Sequence, residues 1–331
     1  MKFILLILAV IFLAIANLFI GSVSIPPTEV MNILFGDAAS TPAYEFIILH
    51  SRMPQAVTAI IAGAGLAASG LLLQTAFHNP LASPSLLGIS SGASLGVAVV
   101  TLLTGGTIVA AGISAGGYIA VMVAAFAGSL GVMALLLLLS SWLKNDLLLL
   151  ITGVLLGYLV SSVITLLNYQ ATADGIQSYV MWGMGTFGAV PPNHLALFGA
   201  VTAIGLVIAV LLVKPLNIIQ LGSSYARNLG VNLTAMRNML LISTGILTAA
   251  VTAYCGPVSF IGLAVPHITR LIFPTGDHRI LMPATILTGC ATALLCNILC
   301  VLPSASVLPL NAVTPLIGVP VIIFVILSRR K

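Results

Sequence analysis

The sequence predicts an all-α integral membrane protein, and three observations lead to that class. Of its 331 residues, 60% are hydrophobic and only 5% are charged, whereas a soluble domain carries about 25% charged residues. The apolar residues are spread over the whole length. They form runs close to the roughly 20 residues that a helix needs to cross a bilayer. We therefore expect one transmembrane domain over residues 1–331, and not a soluble domain with an anchor.

The apolar runs predict ten transmembrane helices. They are expected at about residues 3–20, 53–74, 86–103, 116–141, 147–167, 195–213, 238–256, 258–270, 280–300 and 310–327. The first is interpreted as an uncleaved span because no clear cleavage motif follows it. The eighth is short and needs re-entrant packing to count as a crossing. Residues 168–193 are too polar to cross, and a short external helix is expected at about 177–187.

The basic residues predict the orientation. With the N-terminus inside and ten crossings, the cytoplasmic side receives Lys2, Lys144, Lys214, Arg227, Arg237, Arg270, Arg279, Arg329, Arg330 and Lys331. Arg52 alone falls outside, so ten of the eleven basic residues lie on one side. This is the positive-inside bias of membrane proteins, and it predicts that both termini are cytoplasmic.

The longest cytoplasmic segment, residues 215–237, is predicted to form two short helices. Ser223 or Ser224 is expected to cap the first, Gly230 to end it in the left-handed conformation, and Asn232 to cap the second. The segment mixes apolar with basic side chains, which favours a surface that docks on another protein. An ordinary polar hinge between two spans is the alternative.

Several chemistries are disfavoured by what the sequence omits. The interiors of the ten predicted spans contain no Asp, Glu, Lys or Arg. Such residues usually mark ion relays, so a proton-coupled carrier and a carboxylate protease are both disfavoured. No GxxxxGK[ST] motif is present, so the chain is not expected to hydrolyse ATP by that route. If it pumps, a partner supplies the energy. A secondary carrier or channel without an ATPase remains the alternative.

Small and soft residues suggest where helices and ligands meet. Gly88, Gly92 and Gly96 recur every four residues on the third helix and predict close helix packing, with some glycines lining a wide path. Met181 and Met184 are placed near the outer mouth, where they either fill packing gaps or contact a bulky apolar ligand. The histidines and cysteines are dispersed or buried in apolar runs, so no metal site is expected.

Several motifs together resemble the FecCD/BtuC-type permeases, in that family's order and over nearly the whole chain. They are Arg52-Met53-Pro54, Asn79-Pro80-Leu81-Ala82-Ser83-Pro84, Trp182-Gly183-Met184-Gly185, Leu221-Gly222 with Ala226-Arg227 and Leu229-Gly230, Gly256-Pro257, Pro266-His267-Ile268-Thr269-Arg270 and Val313-Thr314-Pro315.

The resemblance implies a ten-helix subunit of a type II ABC importer for iron–siderophore, haem or cobalamin-like ligands. It implies a homodimer in the bacterial inner membrane, two cytoplasmic ATPases that bind ATP and Mg, and an extracytoplasmic binding protein. The chain itself would be neither an enzyme nor a cofactor carrier. The resemblance places the ATPase-coupling residues at Leu221, Gly222, Ala226, Arg227, Leu229 and Gly230.

Two departures from the family pattern affect the expected contacts. Ser223 and Ser224 stand where acidic residues often follow the Leu-Gly pair, which weakens charge pairing with an ATPase. Gln55 stands where some members have a second external arginine, so Arg52 is left as the expected docking residue for the binding protein.

Overall fold

The computed structural model describes residues 1–36, 40–105, 115–143, 146–302 and 307–328. The predicted cytoplasmic residues Lys144, Arg329, Arg330 and Lys331 lie outside this set. The helices are α1 Lys2–Phe19, α2 Pro27–Phe35, α3 Pro42–Ile47, α4 Met53–Ala76, α5 Ile89–Leu103, α6 Ala115–Trp142, α7 Asp146–Gln170, α8 Ala173–Gly183, α9 Leu195–Leu211, α10 Val213–Ile219, α11 Ser223–Asn228, α12 Leu233–Cys255, α13 Ile261–Ile272, α14 His278–Val301 and α15 Leu310–Ser328.

All regular structure in the described residues is helical, as predicted. Within the described ranges, seven helices are long and apolar enough to cross a membrane, and the apolar segments Ile89–Leu103, Ile261–Ile272 and Leu310–Val325 are shorter. These ten elements lie at the ten predicted positions, while ten crossings as a count stays a prediction. The predicted external helix at 177–187 is shifted: α8 begins at Ala173 because Thr172 caps it, its hydroxyl accepting the backbone N–H of Gly175.

The centre of the bundle is α4, which is buried along nearly its whole length. It packs on α14 and α13 through glycines. A Cβ on Gly63 would collide with the carbonyl oxygen of Gly289, and a Cβ on Gly70 with that of Gly262. Lipid offers no hydrophobic drive for helix association, so this close backbone approach supplies the packing. In contrast, α1 and α7 expose large apolar side chains on the outside of the bundle.

Basic side chains gather at one end of the bundle, which we call the basic end. Lys2 donates to the carbonyl of Ile272, at the end of α13, over 2.7 Å. Arg237 donates to the carbonyl of Leu143, after the end of α6, over 3.0 Å. The start of α14 and the segment from α10 to α12 lie at the same end. We expect this end to be the cytoplasmic one.

Candidate coupling surface and external cavity

Two glycines set the direction of α11. Gly222 precedes the helix with φ +106° and Gly230 follows it with φ +80°, both in the region that favours glycine. At the C-terminal end, the N–H of Val231 donates to Ala226 O over 3.0 Å and the N–H of Gly230 to Arg227 O over 2.9 Å. This pair of bonds is a Schellman motif. The left-handed Gly230 is therefore confirmed.

The predicted serine cap of α11 is wrong. The helix begins at Ser223, and the residue before it, Gly222, has no side chain to act as a cap. The predicted cap of the next helix is confirmed, since Asn232 Oδ1 accepts the backbone N–H of Ala235 over 3.0 Å.

Large apolar side chains are exposed in and around α11. Tyr225 in the helix is 52% exposed, and Leu221 and Leu229, which flank it, are 66% and 54% exposed. Arg227 is also exposed, whereas Ala226 is fully buried and seats the helix on the bundle. Large apolar side chains exposed close together in the sequence are candidates for a contact with another molecule. We call these three exposed side chains together with Arg227 the coupling surface.

Polar side chains tie α10, which leads into the coupling surface, to the start of α14. Asn217 Nδ2 donates to Asp277 Oδ1 over 2.6 Å, and Asn217 Oδ1 accepts the backbone N–H of His278 over 2.8 Å. Gln220 Nε2 donates to the carbonyl of Gly276 over 3.0 Å. On its far side, His278 Nε2 lies 2.8 Å from the hydroxyl of Thr75 on α4. The coupling surface is thereby linked to the two central helices.

The electrostatics of this link centre on Asp277. Its carboxylate accepts the backbone N–H of Arg279 over 2.9 Å and thereby caps α14. That bond and the amide of Asn217 hold the pKa of Asp277 below its usual value. This network was not predicted from the sequence. The available signal was a pair of amides three residues apart, Asn217 within α10 and Gln220 directly after its end.

At the opposite end, a cavity of about 460 Å³ opens between α5, α6, α8 and α12. Its aromatic and thioether lining includes Tyr118, Met122, Met181, Trp182 and Tyr254. Met181 is 62% exposed and presents its side chain there. The lining is suited to an apolar group or to packing against a bulky ligand.

Met184 does not line this cavity. Its carbonyl accepts the backbone N–H of Asn311 over 3.1 Å. Asn311 in turn donates to Gly183 O over 3.0 Å and accepts the Ser259 hydroxyl over 2.8 Å. Asn311 therefore joins the end of α8, the turn before α13 and the start of α15.

The three predicted stripe glycines make helix contacts. Gly92 and Gly96 face α6, where a Cβ on either would collide with the carbonyl oxygens of Gly128 and Ala124. Gly88 lies before α5 with φ +76°, and a Cβ there would lie 2.9 Å from Gly153 O on α7. All three positions are packing contacts. A role for these glycines in a path stays a prediction.

Arg52, the expected docking residue for the binding protein, is turned inward in the single chain, and its docking role stays a prediction. The residue is only 5% exposed. Its guanidinium donates to Leu18 O and Phe19 O over 2.7 and 3.0 Å, and also to Val23 O. These carbonyls follow or end α1 and would otherwise lack donors. Arg52 is therefore turned inward as a cap for α1, because a buried guanidinium requires acceptors that water would supply outside.

A hydroxyl-rich groove of about 370 Å³ follows the side of α7. Its polar lining consists of Ser91, Ser94, Ser161, Thr165, Asn168 and Tyr179. Ser161 and Thr165 are exposed on the outside of the single chain. Hydroxyl and amide side chains gain more from contact with water than from contact with acyl chains. This face of α7 is therefore suited to line an aqueous path.

Comparison with known proteins places this geometry in a family. The model of the FecCD transport family matches residues 6–328. The vitamin B12 import system permease protein BtuC of Salmonella arizonae is 35% identical over 288 residues, which cover 87% of this chain and 84% of that protein. The BtuC protein of Escherichia coli O9:H4 is 35% identical over 292 residues, which cover 88% and 86%.

Two solved structures have a similar fold. A metal-chelate type ABC transporter in an inward-facing conformation aligns with a TM-score of 0.84 at 28% identity, covering 98% of this chain and 97% of that one. PsaBC from Streptococcus pneumoniae, in complex with Fab, aligns with a TM-score of 0.53 at 14% identity and supports the fold alone. The family model spans nearly the whole chain and the BtuC relatives cover most of it, so the chain belongs to the FecCD transport family.

Proposed function

We propose that this chain is the membrane-spanning permease subunit of an ATP-driven importer for a metal chelate. It works as a homodimer with two cytoplasmic ATPases, and an extracytoplasmic binding protein delivers the ligand. Membership of the FecCD family supports the role of an importer permease. The observation that supports an ATPase partner best is the coupling surface, where three large apolar side chains are exposed together at the basic end.

The proposed mechanism is alternating access. Closure of the two ATPases on ATP pushes the coupling surface. The Asn217–Asp277 bond of 2.6 Å and the His278–Thr75 contact of 2.8 Å transmit that displacement to α14 and α4. Since α4 and α14 pack through glycine contacts, they move together and change the end to which the central path opens. The energy for transport comes from ATP hydrolysis by the partner subunits. This agrees with the lack of charged residues inside the predicted spans, since such residues usually mark ion relays.

Two features support the substrate path. The hydroxyl face of α7 is exposed on the single chain and would face its partner copy across a water-filled space. The cavity lined by Met181 and Trp182 lies toward the external end, where a delivered ligand would arrive. Iron–siderophore, haem and cobalamin are all bulky chelates of the class that such walls accommodate.

The central experiment is reconstitution of the dimer with its ATPases and binding protein in liposomes. Arg227→Glu, which reverses the one charge of the coupling surface, is expected to leave ATP hydrolysis running while import falls. Arg227→Lys is the matched control because it keeps the charge. Wild-type import by Arg227→Glu would contradict the coupling role.

The competing hypothesis is a secondary carrier or channel. It is tested with the purified chain alone in liposomes, under ion gradients and without ATPases. The importer hypothesis expects no uphill accumulation of ligand. Accumulation by the chain alone would overturn it. The ligand itself is identified by titrating ferric siderophores, haem and cobalamin against the cognate binding protein and measuring their dissociation constants.

A further inference from the structure

A second groove, which neither the coupling surface nor the external cavity uses, lies at the basic end. It has a volume of about 360 Å³ and runs between the α9–α10 corner and the first turns of α14. We call it the basic groove. Because the last turn of α9 and the first turns of α14 form it, the groove lies at the depth of one membrane surface.

The walls of the basic groove are apolar. They are formed by Val210, Val213, Pro283 and Ile286. Val210 is 54% exposed, and the preceding turns of α9 expose Ile204 and Val207 in the same way. Large exposed apolar side chains on a transmembrane helix face acyl chains. The groove therefore continues a lipid-facing surface.

Two cations stand at the mouth of this groove, Lys214 on α10 and Arg279 on α14. Both are exposed. Neither has an ion-pair partner in the described ranges. The acidic neighbour is Asp277, whose carboxylate already accepts the Asn217 amide and the backbone N–H of Arg279. His278 is buried at the floor, where Thr75 and Asn217 hold its ring. The carboxylate of Asp277 also attracts the charge of Arg279, so the two cations and this one acid leave a net positive charge for an outside anion.

We propose that the basic groove binds an anionic phospholipid. Lys214 and Arg279 hold its phosphate, and one acyl chain lies along Val210 and Ile286. Apolar walls below a pair of cations match the order of groups in such a lipid, from tail to headgroup. Basic pockets between transmembrane helices on the cytoplasmic side take lipids of this kind. The bound lipid joins α10 to α14, the same two helices that the Asn217–Asp277 bond connects.

The test measures lipid retention on the purified full-length chain by native mass spectrometry. Phosphatidylglycerol and phosphatidylcholine are supplied in equal amounts. The wild-type chain is expected to retain phosphatidylglycerol preferentially. Lys214→Gln/Arg279→Gln is expected to weaken that binding about 30-fold, since each cation near a membrane surface is expected to strengthen the binding of an anionic lipid about fivefold. Lys2→Gln/Arg227→Gln removes the same amount of charge from the basic end but outside the groove. This control variant is expected to bind phosphatidylglycerol as the wild-type chain does.

A third variant separates the groove from its charges. Val210→Trp places a larger side chain in the apolar part of the groove and leaves both cations in place. It is expected to weaken the binding of phosphatidylglycerol as well. Millimolar inorganic phosphate is not expected to displace the lipid, because it lacks the acyl chain. Equal losses in both double variants, unchanged binding in Val210→Trp, or displacement by phosphate would each overturn the proposal. Thermal unfolding of every variant identifies any chain that has failed to fold.

Discussion

At the scale of single residues, Arg52 donates hydrogen bonds to carbonyls at the end of α1 and just after it, which predicts a role in stability. Arg52→Ala leaves three carbonyls without their donor, and each hydrogen bond to a charged group contributes about 1.5–3 kcal/mol. We expect a lower melting temperature in detergent and a shortened α1. Glu45→Ala, an exposed change at the same end, is the control. An unchanged melting temperature with weakened affinity for the binding protein would support the docking role.

Another residue-scale prediction concerns the contact between α5 and α6. A Cβ on Gly128 would collide with Gly92 O, whereas a Cβ on Gly131 of the same helix meets nothing within 4 Å. We expect Gly128→Ala to destabilise the chain by about 1–3 kcal/mol through overpacking. Gly131→Ala should be neutral or slightly stabilising, because alanine favours helix. Thermal unfolding of the two variants side by side checks this, and equal effects would refute the proposed contact.

At the scale of elements, the start of α14 should respond to acid. The folded-state pKa of Asp277 lies below its unfolded value. Its contribution to stability is therefore present above about pH 4 and is lost as the pH falls through the folded-state pKa. Asp277→Asn keeps an acceptor but does not titrate. We expect the difference in melting temperature between wild type and variant to shrink in acid. A difference independent of pH would contradict this assignment.

The positions of the long helices were predictable from the sequence because their apolar composition decides them. The exact ends were less predictable where a single side-chain contact fixes them. The long apolar runs lie within a few residues of the observed helices. The start of α8 was displaced because the Thr172 hydroxyl, rather than any apolar residue, fixes it. Gly230 and Asn232 were predictable because a left-handed residue and a cap are local features.

Contacts between distant residues were not predictable in the same way. Asn217 and Asp277 meet across 60 residues of sequence, and no periodicity indicates which amide a carboxylate will find. The sequence placed Arg52 at the external end but could not show its rotamer, which depends on the carbonyls at the end of α1. The segment that carries the coupling surface was predictable, whereas the structure was needed to show which of its side chains are exposed.

At the scale of the whole molecule, the polar face of α7 is expected to meet a second copy. Ser161→Cys should give a dimer with a bis-maleimide linker, because we propose that the exposed hydroxyl row lines the space between copies. Val207→Cys on α9, 59% exposed and facing lipid, is the control. The native cysteines Cys255, Cys290, Cys296 and Cys300 are buried. Gel electrophoresis reads the result, and equal yields from both variants would count against this interface.

The burial of α4 has a consequence for biosynthesis. This helix contains many alanines and glycines, and its principal neighbour, α14, begins only at His278. At ribosomal speeds of about 5–20 residues per second, α4 waits roughly 10–40 s for that neighbour. During this interval its glycine-lined surfaces face the bilayer or the insertion machinery. Nascent chains truncated before α14 are therefore expected to be early targets of membrane proteases.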